Sequence, residues 1–497
     1  MDDVMKYPDI LLVMSDQHAA YYMGHEGGMV DTPNMDALAV EGVRFANHYT
    51  SCPLCVPARM SFMTGRLPTK IGVTSNNQTI AETAPTFLFP LVEAGYETVL
   101  IGRMHFIGKD LRHGFTKRIG GDMTPTCWTP QWAAMGRERG RDFISTFSAG
   151  GCLNTLGYGE SPVRYYDDMV MENALDYLAK PHDKPQCIVV GTFGPHFPYV
   201  AEEGLYQKYK ARGYLPPSFK CVPEFVTSNP WLSAHCKQVD TDTAKNAVAA
   251  YCALVEESDK KIGAILSAFK TYTEKAGHTR IYGYTSDHGD TVGARNMYGK
   301  QTFFEDSARV PLLLAGDGVP AGKTISVNTS IMDIGPTLCE LAGCRYEGHF
   351  VDGVSLVQHM NRESVPNVRP VISQYIESWG GGRNDPNGKV ELAYGVMVRR
   401  GEWKYIEYHG CESQAVLFNL QTDPGEVQNL CSQCPQIAQE MHEIAMLPVD
   451  PLVAEMEHRG REQMRKWLQS YESAAGFDDS ERWKDNPSSA CGQNVHF

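Results

Sequence analysis

Residues 51–68 read SCPLCVPARMSFMTGRLP and hold two cysteines, Cys52 and Cys55, in C-x-x-C spacing. Pro57 suits the first turn of a helix, which places Cys55 near a helix N-terminus, where the peptide dipole favours negative charge. A C-x-x-C pair also occurs in redox motifs and as half of a zinc site. A zinc site would need further ligands, and the other C-x-x-C pair, Cys431 and Cys434, lies in a polar loop with no partner pair near it. A redox motif would need a thioredoxin-sized unit around it, so both interpretations fit poorly.

Four short apolar runs stand at intervals around this stretch, at residues 9–14, 97–101, 186–192 and 280–285. Each has the length and residue types of a strand but no regular alternation, which predicts strands buried on both faces. Polar residues able to do chemistry follow every run. They are Asp16 and Gln17, Arg103 and His105, His196, and Asp287 and His288.

Helical patterns lie between the strands, at residues 35–42, 85–95, 165–180 and 243–267. Strands alternating with helices predict an α/β fold in which helices flank a large, mostly parallel sheet. Ligands of such sheets bind beyond the carboxyl ends of the strands. The four polar strand ends therefore predict one shared site at that edge.

The pattern changes near Pro370, after which short strands and turns continue to residue 429 and helical patterns occupy 437–445 and 455–471. This predicts a catalytic α/β domain over residues 1–369 and a smaller C-terminal α+β subdomain with an antiparallel sheet over 370–497. The polar and aromatic end of the chain lacks periodicity. We expect it to form an arm that packs on this subunit or on another, in a homo-oligomer.

The composition of the 497 residues, 42% hydrophobic and 21% charged, is that of an ordinary soluble globular protein. A net charge of −14 disfavours nucleic-acid and anionic-membrane partners, although a local basic pocket can still bind an anionic substrate. No run reaches the roughly 18 apolar residues of a membrane span. The acidic N-terminus is unlike a signal peptide, so we expect a cytoplasmic protein whose 14 cysteines are mostly free.

The residues that follow Cys55 complete a longer pattern, C-x-P-x-R-x-x-x-x-T-G. Its members are Cys55, Pro57, Arg59, Thr64 and Gly65. The pattern resembles the signature of the type I sulfatases of the alkaline-phosphatase superfamily, with Ala58 in place of the usual serine. The resemblance implies an alkaline-phosphatase-like fold, hydrolysis of a small-molecule sulfate ester, and a maturation enzyme that oxidises Cys55 to formylglycine. We interpret Cys52 as a buried thiol.

Further segments resemble the family in the same order along the chain. DILLVMSDQ is similar to its first strand and acidic metal ligands, and GYETVLIGRMHFIG to its G-K-x-H element, with Arg103 in place of lysine. GPHFP holds the family histidine at His196. SDHGDTVGARNMYGKQTFFEDSARVPLLL resembles the second metal motif and the lysine after it, Lys300.

The resemblance implies a divalent cation bound by Asp16, Asp287, His288 and the modified Cys55. Gln17 stands where many relatives have a second aspartate, and its amide oxygen can ligate or hydrogen-bond. An oxygen-rich ligand set favours calcium, with magnesium as an alternative, and His288 leaves manganese open. Such a cation neutralises charge and activates the nucleophile.

The family mechanism implies that the hydrated aldehyde attacks sulfur, forms a covalent sulfate ester and then expels sulfate. Arg59 and His105 would hold the geminal diol, with His105 as a candidate base. Arg103 would contact the diol and the sulfate oxygens but not act as an acid, because guanidinium stays protonated. His196 and Lys300 would neutralise sulfate and protonate the leaving oxygen.

The substrate is less sharply indicated. The segment from GRMHFIG to CWTPQW is most similar to the choline-sulfatase branch, in which aromatic residues surround a quaternary ammonium. Trp128 is the candidate for that contact, with Trp132 behind it, and packing in a lid is the alternative. Asn76 matches a sulfate-contacting asparagine of some relatives. Choline sulfate, an aryl sulfate and a sulfated sugar stay open.

Two other functions fit the same motifs. Phosphonate monoester and phosphodiester hydrolases share the fold, the C-x-P-x-R cysteine and a D-Q…D-H metal set. A non-catalytic binding protein on this fold would keep Cys55 unmodified.

Overall fold

A computed structural model describes residues 7–124, 126–128, 152–153, 155–348, 350–362, 366–379, 391–410 and 414–476. The strands in these ranges, numbered in chain order, are β1 (Asp9–Asp16), β2 (Val43–Tyr49), β3 (Glu97–Gly102), β4 (Lys117–Ile119), β5 (Leu156–Tyr158), β6 (Gln186–Pro195), β7 (Tyr199–Ala201), β8 (Arg280–Ser286), β9 (Leu312–Gly316), β10 (Lys323–Ser330), β11 (Val371–Trp379), β12 (Glu391–Arg400), β13 (Trp403–His409) and β14 (Val416–Asn419).

The helices are α1 (Pro33–Glu41), α2 (Cys55–Thr64), α3 (Pro68–Ile71), α4 (Leu88–Glu93), α5 (Pro162–Leu178), α6 (Glu203–Arg212), α7 (Glu224–Thr227), α8 (Pro230–His235), α9 (Thr241–Ala276), α10 (Glu305–Ala308), α11 (Ile334–Leu341), α12 (Val357–Asn361), α13 (Pro435–Met446) and α14 (Pro451–Ala475). Short 3-10 turns occupy Gly24–Glu26, Ala294–Asn296 and Ile331–Asp333.

Eight strands form the large sheet in the order β10-β2-β9-β8-β1-β6-β3-β4. Every neighbouring pair is parallel except the two made by β9, which runs antiparallel to β2 and to β8. The predicted mostly parallel α/β sheet is thus confirmed, and the four predicted strands are β1, β3, β6 and β8.

The central strand β1 is buried along its whole length. Its side chains alternate between two apolar cores, one on each face of the sheet. Ile10, Leu12 and Met14 pack into the core that includes α2 and α11. Leu11 and Val13 pack into the core that includes α5 and α9. Helices on both faces explain why the strand sequence is apolar throughout instead of alternating.

The parallel register brings the ends of the central strands together. Ser15 of β1 lies beside Ser286 of β8, and Asp16 lies beside Pro195 of β6. On the next pair, Gly102 of β3 lies beside Gly191 of β6. The residues that follow β1, β3, β6 and β8 therefore leave the sheet at the same edge.

The C-terminal residues form a separate antiparallel sheet in the order β11-β12-β13-β14, with α13 and α14 after it, as predicted. Side chains from both predicted domains share one apolar cluster that contains Tyr49, Phe303, Tyr375 and Tyr408. The boundary at residue 370 stays a prediction, and the predicted C-terminal arm lies largely outside the described residues.

Some elements differ in length from the sequence prediction. Helix α9 runs to Ala276, beyond the predicted residue 267, and ends at Gly277 in the left-handed conformation. Helix α4 is confined to six residues of the predicted 85–95. A two-stranded sheet of β5 and β7 was not predicted. Within the described part of the chain, no helix combines the length and apolarity needed to cross a bilayer.

Helix α1 begins against a carboxylate of α9. Oδ1 of Asp259 accepts the Met35 amide at 2.8 Å, and Oδ2 accepts the amide and side-chain nitrogens of Asn34 at 3.2 and 2.7 Å. Because Asp259 is fully buried, these donors depend on its carboxylate as their acceptor.

Asp259→Ala is expected to lower the free energy of unfolding by about 2–3 kcal/mol, because it leaves buried donors at the start of α1 without an acceptor. Urea denaturation followed by circular dichroism measures the change. Ser267→Ala, an exposed position on the same helix, is the matched control and should stay within about 0.5 kcal/mol of the wild type. Equal stabilities for the two variants would contradict the capping role.

Candidate active site

Cys55 is the first residue of α2, directly after Leu54 in extended conformation. Every residue of this helix is buried, and Gly65 ends it in the left-handed conformation, at φ 63°. The backbone amide of Val56, near the N-terminal end of the helix, donates a hydrogen bond to Asn76 Oδ1 at 2.9 Å. The helix thus holds the Cys55 thiol rigidly where backbone dipoles favour a negative charge.

Strands β1 and β8 deliver two aspartates to the same place. Asp16 ends β1, and Asp287 and His288 follow β8. One ligand atom from each of Asp16, Cys55, Asp287 and His288 lies within 4.8 Å of the others, and all four residues are buried. The four predicted metal ligands are therefore brought together.

Three polar groups surround the Cys55 sulfur. Lys300 Nζ lies 2.9 Å from Sγ, His288 Nε2 lies 3.3 Å from it and Asp16 Oδ1 lies 3.7 Å from it. The Cys55 sulfur is therefore the point on which a cationic, a neutral and an anionic side chain converge.

Arg59 projects from α2 toward both aspartates and is fully buried. Its Nε donates to Asp287 Oδ2 at 2.8 Å, and Nη2 donates to Asp16 Oδ2 at 3.3 Å. Nη1 donates to the carbonyl oxygen of Arg103 at 3.3 Å. These contacts fix both carboxylates through their Oδ2 atoms, and Oδ1 of Asp16 is left 3.7 Å from the Cys55 sulfur.

Arg103 follows β3 and is also fully buried. Its Nε donates to Asp16 Oδ2 at 2.8 Å, and Nη1 donates to Asp122 Oδ1 at 2.8 Å. Nη2 lies 2.7 Å from Nδ1 of His105. The guanidinium stacks over the Phe193 ring at 4.2 Å. Arg103 thus binds protein groups on several sides and links Asp16 to His105.

The His105 tautomer follows from these contacts. Because guanidinium only donates, Nδ1 of His105 accepts, and the ring proton of the neutral imidazole lies on Nε2. Burial and then the Arg103 charge lower the pKa of His105. The backbone of His105 is held at φ 60°, and its amide donates to Asp122 Oδ2 at 2.7 Å.

His288 presents a bare nitrogen to the site. Its Nδ1 lies 3.0 Å from the Gly289 carbonyl oxygen, which only accepts, so Nδ1 carries the proton and Nε2 has the free lone pair. Burial, opposed by Asp287 and reinforced by Lys300, lowers the pKa of His288 to about 4. A neutral imidazole with a free Nε2 is the form that binds metal ions.

Asp16 is ionised despite its burial. Burial raises its pKa, but the charges of Arg103 and Lys300 outweigh that effect and hold the pKa of Asp16 well below the usual value. A buried carboxylate is tolerated only with such compensation.

Gln17 has φ 70° and is fully buried. Its Nε2 donates to Asp290 Oδ2, which leaves Oε1 buried without a hydrogen-bond partner. The backbone amide of Gln17 donates to Asp287 Oδ1 at 3.1 Å. A buried amide oxygen without a partner beside the aspartate pair is suited to a cation.

The donor set therefore fits a divalent cation. Two carboxylates, an amide oxygen and one neutral imidazole nitrogen match a hard or borderline metal such as calcium, magnesium or manganese. Asp16, Gln17, Asp287 and His288 would hold it, together with residue 55.

A cavity of about 360 Å³ opens beside Cys55. His196, Lys300 and Asn76 line it together with Cys55. Nδ1 of His196 lies 2.6 Å from the Phe197 carbonyl oxygen, which leaves Nε2 unprotonated. Burial and then the Lys300 charge lower the pKa of His196 well below its usual value.

The cavity is also lined by polar residues that were not predicted from the sequence. They are His235, Lys237, Tyr298, Gln301 and Glu377. Trp128 does not line this cavity among the described residues. It packs against the apolar core, with its ring close to Gly108. Trp132 lies outside the described residues.

Sequence reasoning also missed two buried aspartates. Asp122 holds Arg103 and His105, and Asp290 holds Gln17. Asp290 lies three residues after Asp287 within the quoted SDHGD segment, and its position was a usable signal. Asp122 stands after β4, a strand of three residues too short to recognise in the sequence.

Comparison with known families and proteins agrees with this geometry. The family model described as Sulfatase matches residues 8–344. The model described as N-sulphoglucosamine sulphohydrolase, C-terminal, matches residues 293–447.

Individual relatives extend the likeness over most of the chain. A choline-sulfatase of Rhizobium meliloti (strain 1021) is 34% identical over 85% of this chain and 82% of its own length. An arylsulfatase K of Xenopus laevis is 27% identical over 93% of this chain and 86% of its own. The crystal structure of a phosphonate monoester hydrolase of Agrobacterium radiobacter shares the fold, with a TM-score of 0.67, 21% identity, and coverage of 91% and 96%. The chain belongs to the sulfatase family.

Proposed function

We propose that this protein hydrolyses the sulfate monoester of a small organic alcohol, with a nucleophile made by oxidation of Cys55 to formylglycine. The observation that carries the proposal is the convergence of Asp16, His288 and Lys300 within 3.7 Å of the Cys55 sulfur, which lines a cavity. A bound divalent cation would neutralise the sulfate and favour the ionised nucleophile.

The arginines act as positioning residues in this proposal. Arg59 and Arg103 direct their donors at the outer oxygens of Asp16 and Asp287. Oδ1 of Asp16 is thereby kept toward residue 55, and the excess negative charge of the carboxylates is balanced before substrate enters. Preorganisation of this kind lowers the cost of rearranging charge during the reaction.

His105 is assigned as a hydrogen-bond donor to residue 55. Its Nδ1 accepts from Arg103, so Nε2 holds a proton and has no lone pair to offer as a base. This departs from the base role expected from the sequence. A donor at Nε2 would orient an oxygen of residue 55 instead of deprotonating it.

In this proposal, the cationic side chain of Lys300 contacts the sulfate group and the leaving oxygen of the ester. Its Nζ is 2.9 Å from the Cys55 sulfur and lines the cavity, so it has three donors at the reacting position. His196 is neutral because burial and Lys300 lower its pKa, and its bare Nε2 accepts a proton or hydrogen bond. Asn76 has its amide nitrogen left for the substrate, since its oxygen accepts from Val56.

The burial of Cys55 bears on maturation. Its side chain is 1% exposed and opens a wholly buried helix. An enzyme that oxidises this cysteine would have to reach it before α2 packs against the sheet.

We also propose a cytoplasmic location, since every cysteine in the described ranges is a free thiol.

The alcohol part of the substrate stays open among choline, aryl and sugar sulfates. The relatives are named a choline-sulfatase and an arylsulfatase, and the C-terminal family model is named for a sulfated sugar. Glu377 and Gln301 also line the cavity, and their polar groups suit a polar alcohol. A panel of these esters, assayed on matured protein, identifies the class.

Phosphonate monoester and phosphodiester hydrolysis is the second candidate, favoured by the shared fold with such a hydrolase. The sulfate ester and the phosphodiester of one chromogenic phenol should be compared on the same matured protein. We expect the sulfate ester to have the higher kcat/KM. A preference for the phosphodiester would overturn the proposed sulfatase activity.

Cys55→Ala is expected to abolish turnover, by at least about a thousandfold, while the circular dichroism spectrum and unfolding midpoint stay close to the wild type. Cys55→Ser should accumulate a sulfated protein, because serine lacks the second hydroxyl that expels sulfate. Intact-mass spectrometry after incubation with substrate detects it. Cys52→Ser is the control for thiol removal. Turnover near wild type in Cys55→Ala would refute the mechanism.

Mass spectrometry of the peptide with residue 55 gives the state of the nucleophile directly. Co-expression with a formylglycine-generating maturase should convert the thiol to the aldehyde. Addition of the same maturase to the folded, unmodified protein should convert very little of it, because α2 is buried. An unmodified thiol after co-expression would favour the binding-protein alternative.

Chelation of divalent cations is expected to lower turnover and the unfolding midpoint together, since the cation binds only the folded site. A cation at about 100 times its Kd stabilises the fold by about 2.7 kcal/mol. Calcium, magnesium and manganese should be restored separately, with differential scanning fluorimetry as the readout. Gln17→Leu should raise the cation concentration that is required to restore the unfolding midpoint. Asp168→Asn, an exposed carboxylate, should respond like the wild type; no response to chelation in any variant would contradict a metal site.

A further inference from the structure

Helix α14 has a band of large apolar side chains that point into solvent. The band, here called the α14 stripe, consists of Leu452, Met456, Met464, Trp467 and Tyr471, with Gly460 at its middle. The five side chains are 54–76% exposed. Exposed apolar residues scattered singly are ordinary, but a contiguous band marks an interaction surface.

The stripe follows helical geometry closely. At 3.6 residues per turn, its six positions fall within an arc of about 120°. Ala454, His458 and Glu472 lie on the opposite face and are buried against the protein. From Leu452 to Tyr471 the stripe is about 29 Å long at 1.5 Å per residue.

The stripe is complementary to itself when two copies run antiparallel about a two-fold axis. With the axis near residues 461–462, Leu452 lies opposite Tyr471 of the other copy, and Met456 lies opposite its Trp467. Gly460 lies opposite Gln463 and within one residue of Met464 of the other copy, a small residue beside a large one. A side-chain atom added at Gly460 would meet nothing within 4 Å in the single chain, so there is room for that methionine.

Charges beside the stripe match the same register. Glu455 and Lys466 flank it on one side, near opposite ends of the helix, and the antiparallel arrangement brings Glu455 of each copy close to Lys466 of the other. Lys466 is exposed, and Glu455 also forms an ion pair with Arg459 of its own helix, at 2.7 Å. The two-fold axis produces this ion pair twice.

We propose that the protein self-associates through the α14 stripe, as an antiparallel pair of α14 helices from two copies of the chain. The pairing would remove five large apolar side chains per copy from water, and apolar burial is the dominant favourable term in such associations. The inference stands on the exposed face of α14 and is independent of the proposed chemistry.

The buried face of α14 connects the pairing to the active site. His458 Nδ1 lies 2.7 Å from Thr74 Oγ1, and Glu462 accepts from Ser75 Oγ at 3.2 Å and from Gln78 Nε2 at 3.3 Å. These contacts hold the loop that bears Asn76. A groove lined by both α14 and this loop continues to Gln301 and Glu377 of the cavity. Pairing of α14 would therefore fix one wall of the route to Cys55.

Sedimentation equilibrium and light scattering of the full chain at micromolar concentration test the proposal. The wild type is expected to be dimeric or a higher even-numbered oligomer. Met456→Glu and Trp467→Glu should weaken association at least about a hundredfold, with circular dichroism confirming that both variants fold. Val40→Glu, at a 71% exposed site on α1, is the matched control and should associate like the wild type.

A charge exchange tests the antiparallel register itself. Glu455→Lys and Lys466→Glu, each alone, should weaken association about tenfold, because each single change puts like charges together twice. The double variant should recover wild-type association, and an equimolar mixture of the two single variants should form mixed dimers. Recovery in neither experiment would overturn the register.

A wild-type chain that stays monomeric at micromolar concentration would overturn the proposal. If that monomer associates only after residues 477–497 are deleted, the chain's own end covers the stripe instead of a second copy. Binding of the monomer to neutral phospholipid vesicles, lost in Trp467→Glu, would identify a lipid surface as the occupant. Both results contradict self-association.

Discussion

The active site depends on the compensation of buried charge between Asp16, Asp287 and the two arginines, Arg59 and Arg103. Ionised groups at this depth are tolerated only when each is paired and hydrogen-bonded, because removing them from water costs several kcal/mol per ion. The guanidinium groups satisfy the outer carboxylate oxygens. Oδ1 of Asp16 is left toward Cys55, within 4.8 Å of ligand atoms of Asp287 and His288, and this defines one place where a cation and a nucleophile can meet.

The histidines around this centre obey the same constraint. Each has one ring nitrogen fixed by a neighbour of known character: Arg103 donates to His105, while backbone carbonyls accept from His196 and His288. The neutral tautomers are thereby set in advance, with a donor at His105 and free lone pairs at the other two. Lys300 is the cationic side chain that faces both Cys55 and the cavity. The three histidines thus have different roles because Nε2 of His105 donates a hydrogen bond, whereas Nε2 of His196 and of His288 accepts one.

Much of the fold and site was predictable because it rests on local chemistry. The strands beside Asp16, Arg103, His196 and Asp287 show short apolar runs of strand length, and parallel strands bring the residues at their carboxyl ends to one edge of the sheet. Asp122 and Asp290 were not predictable in the same way, since they hold other site residues and touch the reacting centre only through them. The α14 stripe was also hidden. Its periodicity in the sequence is that of any amphipathic helix, and only the packing of the helix shows that an apolar face lies outward.

The sequence by itself determined the α/β class, the polar residues at the strand ends and the signature that begins at Cys55. It also indicated that the signature and the strand ends belong to one site. These depend on hydrophobic period, residue chemistry and motif spacing, which are local properties of the chain. Only the tertiary structure decided which oxygen of Asp16 faces the thiol, which nitrogen of each histidine bears the proton and which face of α14 meets water. Those depend on contacts between residues as far apart in the chain as Asp16 and Arg103, or Thr74 and His458, whose geometry no single segment encodes.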